Sequence, residues 1–284
     1  MNLSSPRCRP FLLLAAVIGL CSLTGCERGE VRTTHFADGS LWTRVHLRMG
    51  VLDGTAEAWF ANGKRRSTSN YAAGTPIGRW QTWFPNGNLQ TVAHYVDGIP
   101  DGLWLHYREN GVLIGSERFR LGRRTGAYKG WSSKGDLLMI EHYRDGLKQG
   151  VSAFFGPDRS VRREQFFVDD RRHGFARSWD DSGALLEAAY WENDILHGRQ
   201  TFYQPDGSKR AEGANAEGKR EGPWFVYWPG GSLHPKSGNY SKGERIADLT
   251  VEFVTQAAEV YVMRASEDVA GPAITAEDVF PEEP

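Results

Sequence analysis

Gly78-Arg79-Trp80-Gln81-Thr82-Trp83-Phe84-Pro85-Asn86-Gly87-Asn88-Leu89-Gln90-Thr91-Val92-Ala93-His94-Tyr95-Val96-Asp97-Gly98-Ile99-Pro100-Asp101 is the stretch that decides the fold. It opens on glycine, and so does its neighbour on either side: Gly54, Gly78, Gly102, Gly126, Gly150, Gly174, Gly198 and Gly222 are each 24 residues apart. A short fixed period held over eight units without an insertion marks a repeat array, in which each unit packs only against its neighbours. Inside the quoted unit, Pro85-Asn86-Gly87 is a hairpin-turn sequence whose glycine supplies positive φ. The run Leu89 to Tyr95 alternates apolar and polar residues and predicts a strand.

Numbered from its glycine, each unit repeats other features. Position 6 is aromatic throughout: Trp59, Trp83, Tyr107, Trp131, Phe155, Trp179, Tyr203 and Tyr227. This column is expected to stack on one face as core. Position 10 is glycine except at Arg159, so the fifth turn is expected to be strained or differently shaped. A second turn falls at position 21, with Gly74, Gly98, Gly122, Gly146 and Gly218, and with Asp170 and Asp194 in two units. Aspartate tolerates left-handed geometry, which supports a turn there. Position 18 is aromatic from Tyr71 to Trp191 and fails at Asn215. The fold predicted is all-β: about eight 24-residue hairpins forming an elongated, twisted antiparallel meander, with the position 1 glycine marking the bend between hairpins.

The chain divides accordingly. Residues 1–25 read as a signal peptide, with Arg7 and Arg9 ahead of an apolar run from Phe11 to Leu20 that is too short to span a bilayer comfortably. The run ends in Leu23-Thr24-Gly25-Cys26, which resembles the lipobox of bacterial lipoproteins and implies acylation of Cys26. An incidental cysteine behind a plain signal peptide is the other reading. Residues 26–53 form a lipidated N-terminus and degenerate capping repeat, keeping Asp38-Gly39 and Gly50 in place. Residues 54–245 are the eight repeats, and 246–264 a closing strand or short amphipathic element over the last open edge. Residues 265–284 carry acidic residues without Lys or Arg and read as a disordered tail.

The combination of Gly78, Trp80, Trp83, Phe84-Pro85-Asn86-Gly87, Tyr95 and Gly98 resembles MORN repeats, in the variant found in bacterial antitoxin-like and lipoprotein sequences. The resemblance covers roughly residues 30 to 245. It implies an elongated hairpin sheet used for protein contacts or assembly.

Chemistry is sparse. The three cysteines, Cys8, Cys21 and Cys26, all precede the repeats, so the array forms neither a disulfide nor a thiolate site. His173 and His197 share position 24 and come nearest to a metal pair, but no carboxylate or thiolate completes it. His94 and His142 lie two repeats apart. No metal, cofactor or catalytic set is expected.

Two surface features stand out instead. Arg123, Arg124, Lys148, Arg171, Arg172, Lys219 and Arg220 occupy positions 22 and 23 and would align as one basic edge, either an anion-binding stripe or an ordinary solvated turn. Trp80, Trp104 and Tyr128 share position 3, whose parity is opposite to that of position 6, so they belong on the second face as a partner site, a glycan site or buried packing. A formal net charge of -1 and an export signal argue against nucleic acid. The function expected is a lipid-anchored, non-catalytic protein of the bacterial cell envelope, leaning to the outer membrane, whose array binds another envelope protein. A carbohydrate or envelope-polymer module is the alternative, and an antitoxin-like or immunity-type binding protein a third.

Overall fold

The computed structural model describes residues 29–249, which form a single 21-stranded antiparallel sheet with no helix among them. Cys26, the signal peptide, most of the closing segment and the acidic tail lie outside the described residues. Strands pair in sequence order, and each repeat adds two of them, advancing the array by about 10 Å.

One unit illustrates the rest. The strand Thr75–Trp83 runs into a turn in which Gly87 N–H donates to Phe84 O at 2.8 Å, and Leu89–Val96 returns beside it. The Asn86 carboxamide oxygen accepts from Asn88 N at 2.9 Å and fixes the turn, a bond repeated by Asp38, Asn62, Asn110, Asp158 and Asp206. In the fifth unit Arg159 takes φ 65° and donates to Gly156 O at 3.0 Å, so that turn keeps the common shape and bears the strain in its backbone. Arg159→Gly is expected to stabilise the chain by about 0.5–1 kcal/mol, seen as a higher urea midpoint at unchanged slope. An unmoved or lower midpoint would show that the arginine side chain compensates.

Successive hairpins are joined by two-residue turns such as Asp97-Gly98, with φ 48° and 79°, the type I′ geometry that matches strand twist. Asp170 and Asp194 occupy the same place with φ 67° and 70°. Each of these turns reaches back to the previous unit through the backbone: Gly74 N donates to Leu52 O at 2.7 Å, Gly98 N to Pro76 O at 2.8 Å, and Gly122 N to Pro100 O at 2.8 Å. The same bond continues to Gly243 N and Arg220 O.

The bend between hairpins is therefore at position 20–21 and not at the glycine that sets the period. Gly78 lies inside its strand. Thr68 pairs with Gln81 and Asn70 with Ile77, so four steps of one strand oppose two of its neighbour. Gly54, Gly102 and the other members of the series sit in equivalent bulges, with φ between 61° and 105°. Such values exclude a side chain at low cost, which is why the period is written in glycine.

The sheet is one layer thick and its core is thin. Buried apolar residues are few and scattered, among them Leu47, Val92, Ile140, Ala153 and Trp224. The burial that exists comes from contacts along each face, where large residues lie beside small ones: Trp80 faces Ala93, and Trp224 faces Gly213.

Candidate interaction face

Trp80, Trp104 and Tyr128 are set on one face by strand parity and by the bulge beside them, but they do not form a separate patch. They interleave with the aromatics of position 18. Ring centroids run Tyr71 to Trp80 at 5.2 Å, Trp80 to Tyr95 at 4.8 Å, Tyr95 to Trp104 at 5.5 Å and Trp104 to Phe119 at 4.9 Å, tilted 49–56° to one another. Each indole N–H donates to a backbone carbonyl across its bulge, Trp80 to Asn70 O and Trp104 to His94 O at 3.2 Å, and Trp224 to Ala214 O at 2.8 Å. The rings are thereby fixed in orientation as well as stacked. This ladder joins positions 3 and 18. The position 6 column lies on the opposite face, where Trp59 and Trp83 are covered by the guanidinium groups of Arg44 and Arg65.

Beyond Phe119 the ladder continues with cations. The Arg124 guanidinium lies over Tyr128 at 5.6 Å and Tyr143 at 5.2 Å, Lys148 Nζ lies 5.3 Å from the Phe167 ring, and Arg172 lies 3.7 Å from Trp191. Arg220 closes the series over Trp224 at 4.3 Å. Position 23 accounts for the change of character: it holds Pro76 and Pro100 ahead of Trp80 and Trp104, then Lys148 and Arg172 ahead of the small Ser152 and Ala176. Lys148 and Arg172 thus lie where a position 3 ring is missing, whereas Arg124 and Arg220 lie over the rings of Tyr128 and Trp224 themselves.

The basic edge expected at positions 22 and 23 is thus split by parity. Arg124, Lys148 and Arg172 fold onto the ladder face and are half-buried, whereas Arg123 and Arg171 point to the other side and are exposed. Two buried carboxylates hold Arg124 and Lys148, while Arg172 pairs with the exposed Asp194 at 3.0 Å. Arg124 Nε lies 2.6 Å from Glu117 Oε2, and His106 Nε2 lies 3.1 Å from Glu117 Oε1. Lys148 Nζ donates to Glu141 Oε1 at 2.5 Å, and the Tyr143 hydroxyl donates to Glu141 Oε2 at 2.7 Å. Burial pushes the Glu117 carboxyl up, but the bond from His106 and the Arg124 charge outweigh it and hold the group below the usual glutamate range. Burial pushes the Tyr143 hydroxyl well above the tyrosine range, reinforced by its bond to Glu141. Burial works against the charge on Arg124, and Glu117 more than restores it. Glu117 is thus held as a carboxylate beside Arg124, and Tyr143 as a neutral hydroxyl that donates to Glu141.

Sequence reading missed Glu117 and Glu141, since single glutamates inside a strand look like solvated positions. Their signal was placement: they stand opposite Trp104 and Tyr128 in register. Among the described residues no group of three or more His, Cys, Asp or Glu could hold a metal ion. His197 lies 3.8 Å from Glu192, and His94 and His142 each engage a backbone carbonyl.

A chain in the crystal structure of TcdB2-TccC3-Cdc42 is similar at 12% identity over 74% of this chain and 14% of its own length, with a TM-score of 0.19. One in the crystal structure of TcdB2-TccC3 is similar at 12% identity over 77% of this chain and 15% of its own length, again with a TM-score of 0.19. This chain spans about one seventh of the length of those chains. No curated protein sequence matches it. Residues 76–97, which run from one inter-hairpin turn to the next, match the family described as MORN repeat variant.

Proposed function

We propose that this chain is a lipid-anchored, non-catalytic protein of the bacterial cell envelope, and that its hairpin array is a scaffold for binding another protein through the ladder face. The observation that carries the reading is the unbroken, half-exposed run of rings from Tyr71 to Phe119 on a sheet one layer thick. Rigid aromatic side chains give contact area at little entropic cost, and arginines beside them extend the surface with charge. The match to a MORN repeat variant suggests a repeat-based binding scaffold. Paired carboxylates with an ionised Glu117 suit the positioning of side chains better than proton transfer.

An envelope glycan is the second reading, favoured by the spacing of Trp80 and Trp104, one repeat or about 10 Å apart. The ladder's own geometry weighs against it. Rings tilted by 49–56° at centroid distances near 5 Å cover one another's faces, whereas a sugar needs an open ring face to stack on. Trp104→Ala and Trp83→Ala remove the same side chain from opposite faces and separate the cases. Chemical cross-linking of the intact envelope is expected to give a discrete protein adduct that Trp104→Ala weakens at least tenfold and Trp83→Ala leaves in place. No adduct with the unmodified chain, or equal loss in both variants, would sink the reading.

A further inference from the structure

The ladder face is a ruler with a fixed step. From Tyr71 to Phe119 its ring centroids lie 5.2, 4.8, 5.5 and 4.9 Å apart, close to the spacing of neighbouring strands. With two strands to a repeat, equivalent rings such as Trp80 and Trp104 recur every ~9.5 Å. Rings tilted by 49–56° close one another's faces but leave notches between one ring edge and the next. Equivalent notches therefore recur once per repeat, and Trp80 and Trp104 are half-exposed beside them.

The rows beside the rings carry no charge. Register runs from Ala58 to Ser67, Thr82 and Thr91 across successive strands, with Ser69 and Ala93 nearer the rings. The next member of the outer row is His106, which pairs with Glu117 at 3.1 Å. The hydroxyls of Ser67, Thr82 and Thr91 bond to no other group among the described residues. Charge complementarity excludes an acidic or basic segment here, because an ionised group laid against these rows would lose water without gaining a partner. What fits is an uncharged, apolar segment that still offers acceptors to the hydroxyls.

One regular conformation of a partner chain keeps pace with the step. An extended strand returns a side chain to the same face every ~6.7 Å and falls out of phase within one repeat. An α-helix returns one after seven residues, at about 10.5 Å, and is out by about 2 Å over the two repeats from Tyr71 to Phe119. Polyproline II turns once in three residues, or about 9.3 Å, and stays in phase to within about 0.4 Å over the same length. It makes no internal hydrogen bonds, so its carbonyls are free to accept. Prolines hold this conformation before binding, which lowers the entropy lost, and present compact apolar rings.

We propose that the ladder face takes an uncharged, proline-rich segment of its partner protein in the polyproline II conformation, lying across the strands from Tyr71 to Phe119. A proline of one turn seats in the notch beside Trp80 and that of the next turn beside Trp104, while carbonyls between them accept from the Thr82 and Thr91 hydroxyls. The proposal rests on the protein-binding reading above and names the chemistry of the partner.

The test titrates the full chain, in detergent micelles, into fluorescein-labelled dodecaproline about 37 Å long and reads fluorescence anisotropy. A labelled glycine-serine dodecamer, equally uncharged but flexible, is the control. Dodecaproline is expected to bind at least about tenfold more tightly than the control, and Trp104→Ala to weaken it about tenfold. Trp83→Ala, on the opposite face, is expected to stay within about twofold of the unmodified chain. Thr91→Val keeps the shape and the strand preference of the residue, and is expected to cost about threefold by removing a donor. Equal binding of the two peptides, no binding of dodecaproline, or unchanged affinity in both Trp104→Ala and Thr91→Val overturns the proposal. A Trp104-dependent protein adduct in the envelope, from a chain that ignores dodecaproline, keeps the scaffold reading and removes the proline-rich partner alone.

Discussion

Gly213→Ala is expected to cost about 3 kcal/mol, although alanine normally stabilises a strand relative to glycine. A Cβ on Gly213 would lie 2.3 Å from Trp224 Cδ2 and 2.5 Å from Cγ, well inside contact distance. Trp224 cannot step aside. It is 1% exposed, its indole N–H is bonded to Ala214 O at 2.8 Å, and Arg220 lies over its ring at 4.3 Å. In an array each interface contributes nearly independently, so the damage should be local: the C-terminal hairpins come loose while the N-terminal units stay folded. Limited proteolysis should cut after about residue 199 and spare the rest. Trp224→Ala alone is expected to cost about 3–5 kcal/mol by leaving a cavity. The double variant should cost clearly less than the sum, because removing the ring relieves the clash. Additive losses would mean that the two residues do not share the strain.

Cys26→Ser is expected to move the protein from the membrane fraction to the soluble fraction. Anchoring of this kind rests on acyl chains, each methylene contributing about 0.8 kcal/mol, and one chain alone holds only marginally. No helix among the described residues is long and apolar enough to cross a bilayer. Fractionation after export, with a wash at high salt to strip electrostatic attachment, separates the possibilities. A serine variant that stays with the membrane through that wash defeats the lipid anchor.

Much of the architecture is written in the sequence because its signals are local. Asn86-Gly87 and Asp97-Gly98 each define a turn, and their alternation every dozen residues yields a meander. What a period cannot give is which residues face each other, since that depends on register, and register here is displaced by a bulge in every unit. Gly78 was legible as a residue needing positive φ but not as a strand residue, because glycine serves both turns and bulges. The stacking of Trp80 on Tyr71 and Tyr95 spans three strands and appears in no sequence spacing. Arg123 and Arg124 look alike in sequence, yet one is exposed at the edge and the other lies 2.6 Å from a buried carboxylate. Alternation along a strand separates neighbours that share a charge.

The two edges of the sheet are fastened by different means. At the hairpin-turn edge neighbouring units are tied by particular side chains, as in Asn62 Nδ2 to Pro85 O at 2.7 Å and Asn86 Nδ2 to Glu109 O at 2.6 Å. At the other, a main-chain bond recurs in every unit, from Gly98 N to Pro76 O and its equivalents, and side chains such as Asp101, Asp170 and Asp194 add to it in some units. An amide hydrogen is present whatever the side chain, apart from proline. Methionine, alanine, aspartate, leucine, asparagine and glutamate accordingly share one place in the turns, at Met49, Ala73, Asp97, Leu121, Asn193 and Glu217. Side chains can therefore vary at that one place while the amide of the next residue keeps the tie to the preceding unit, so surface character can change there with the fold inherited unchanged.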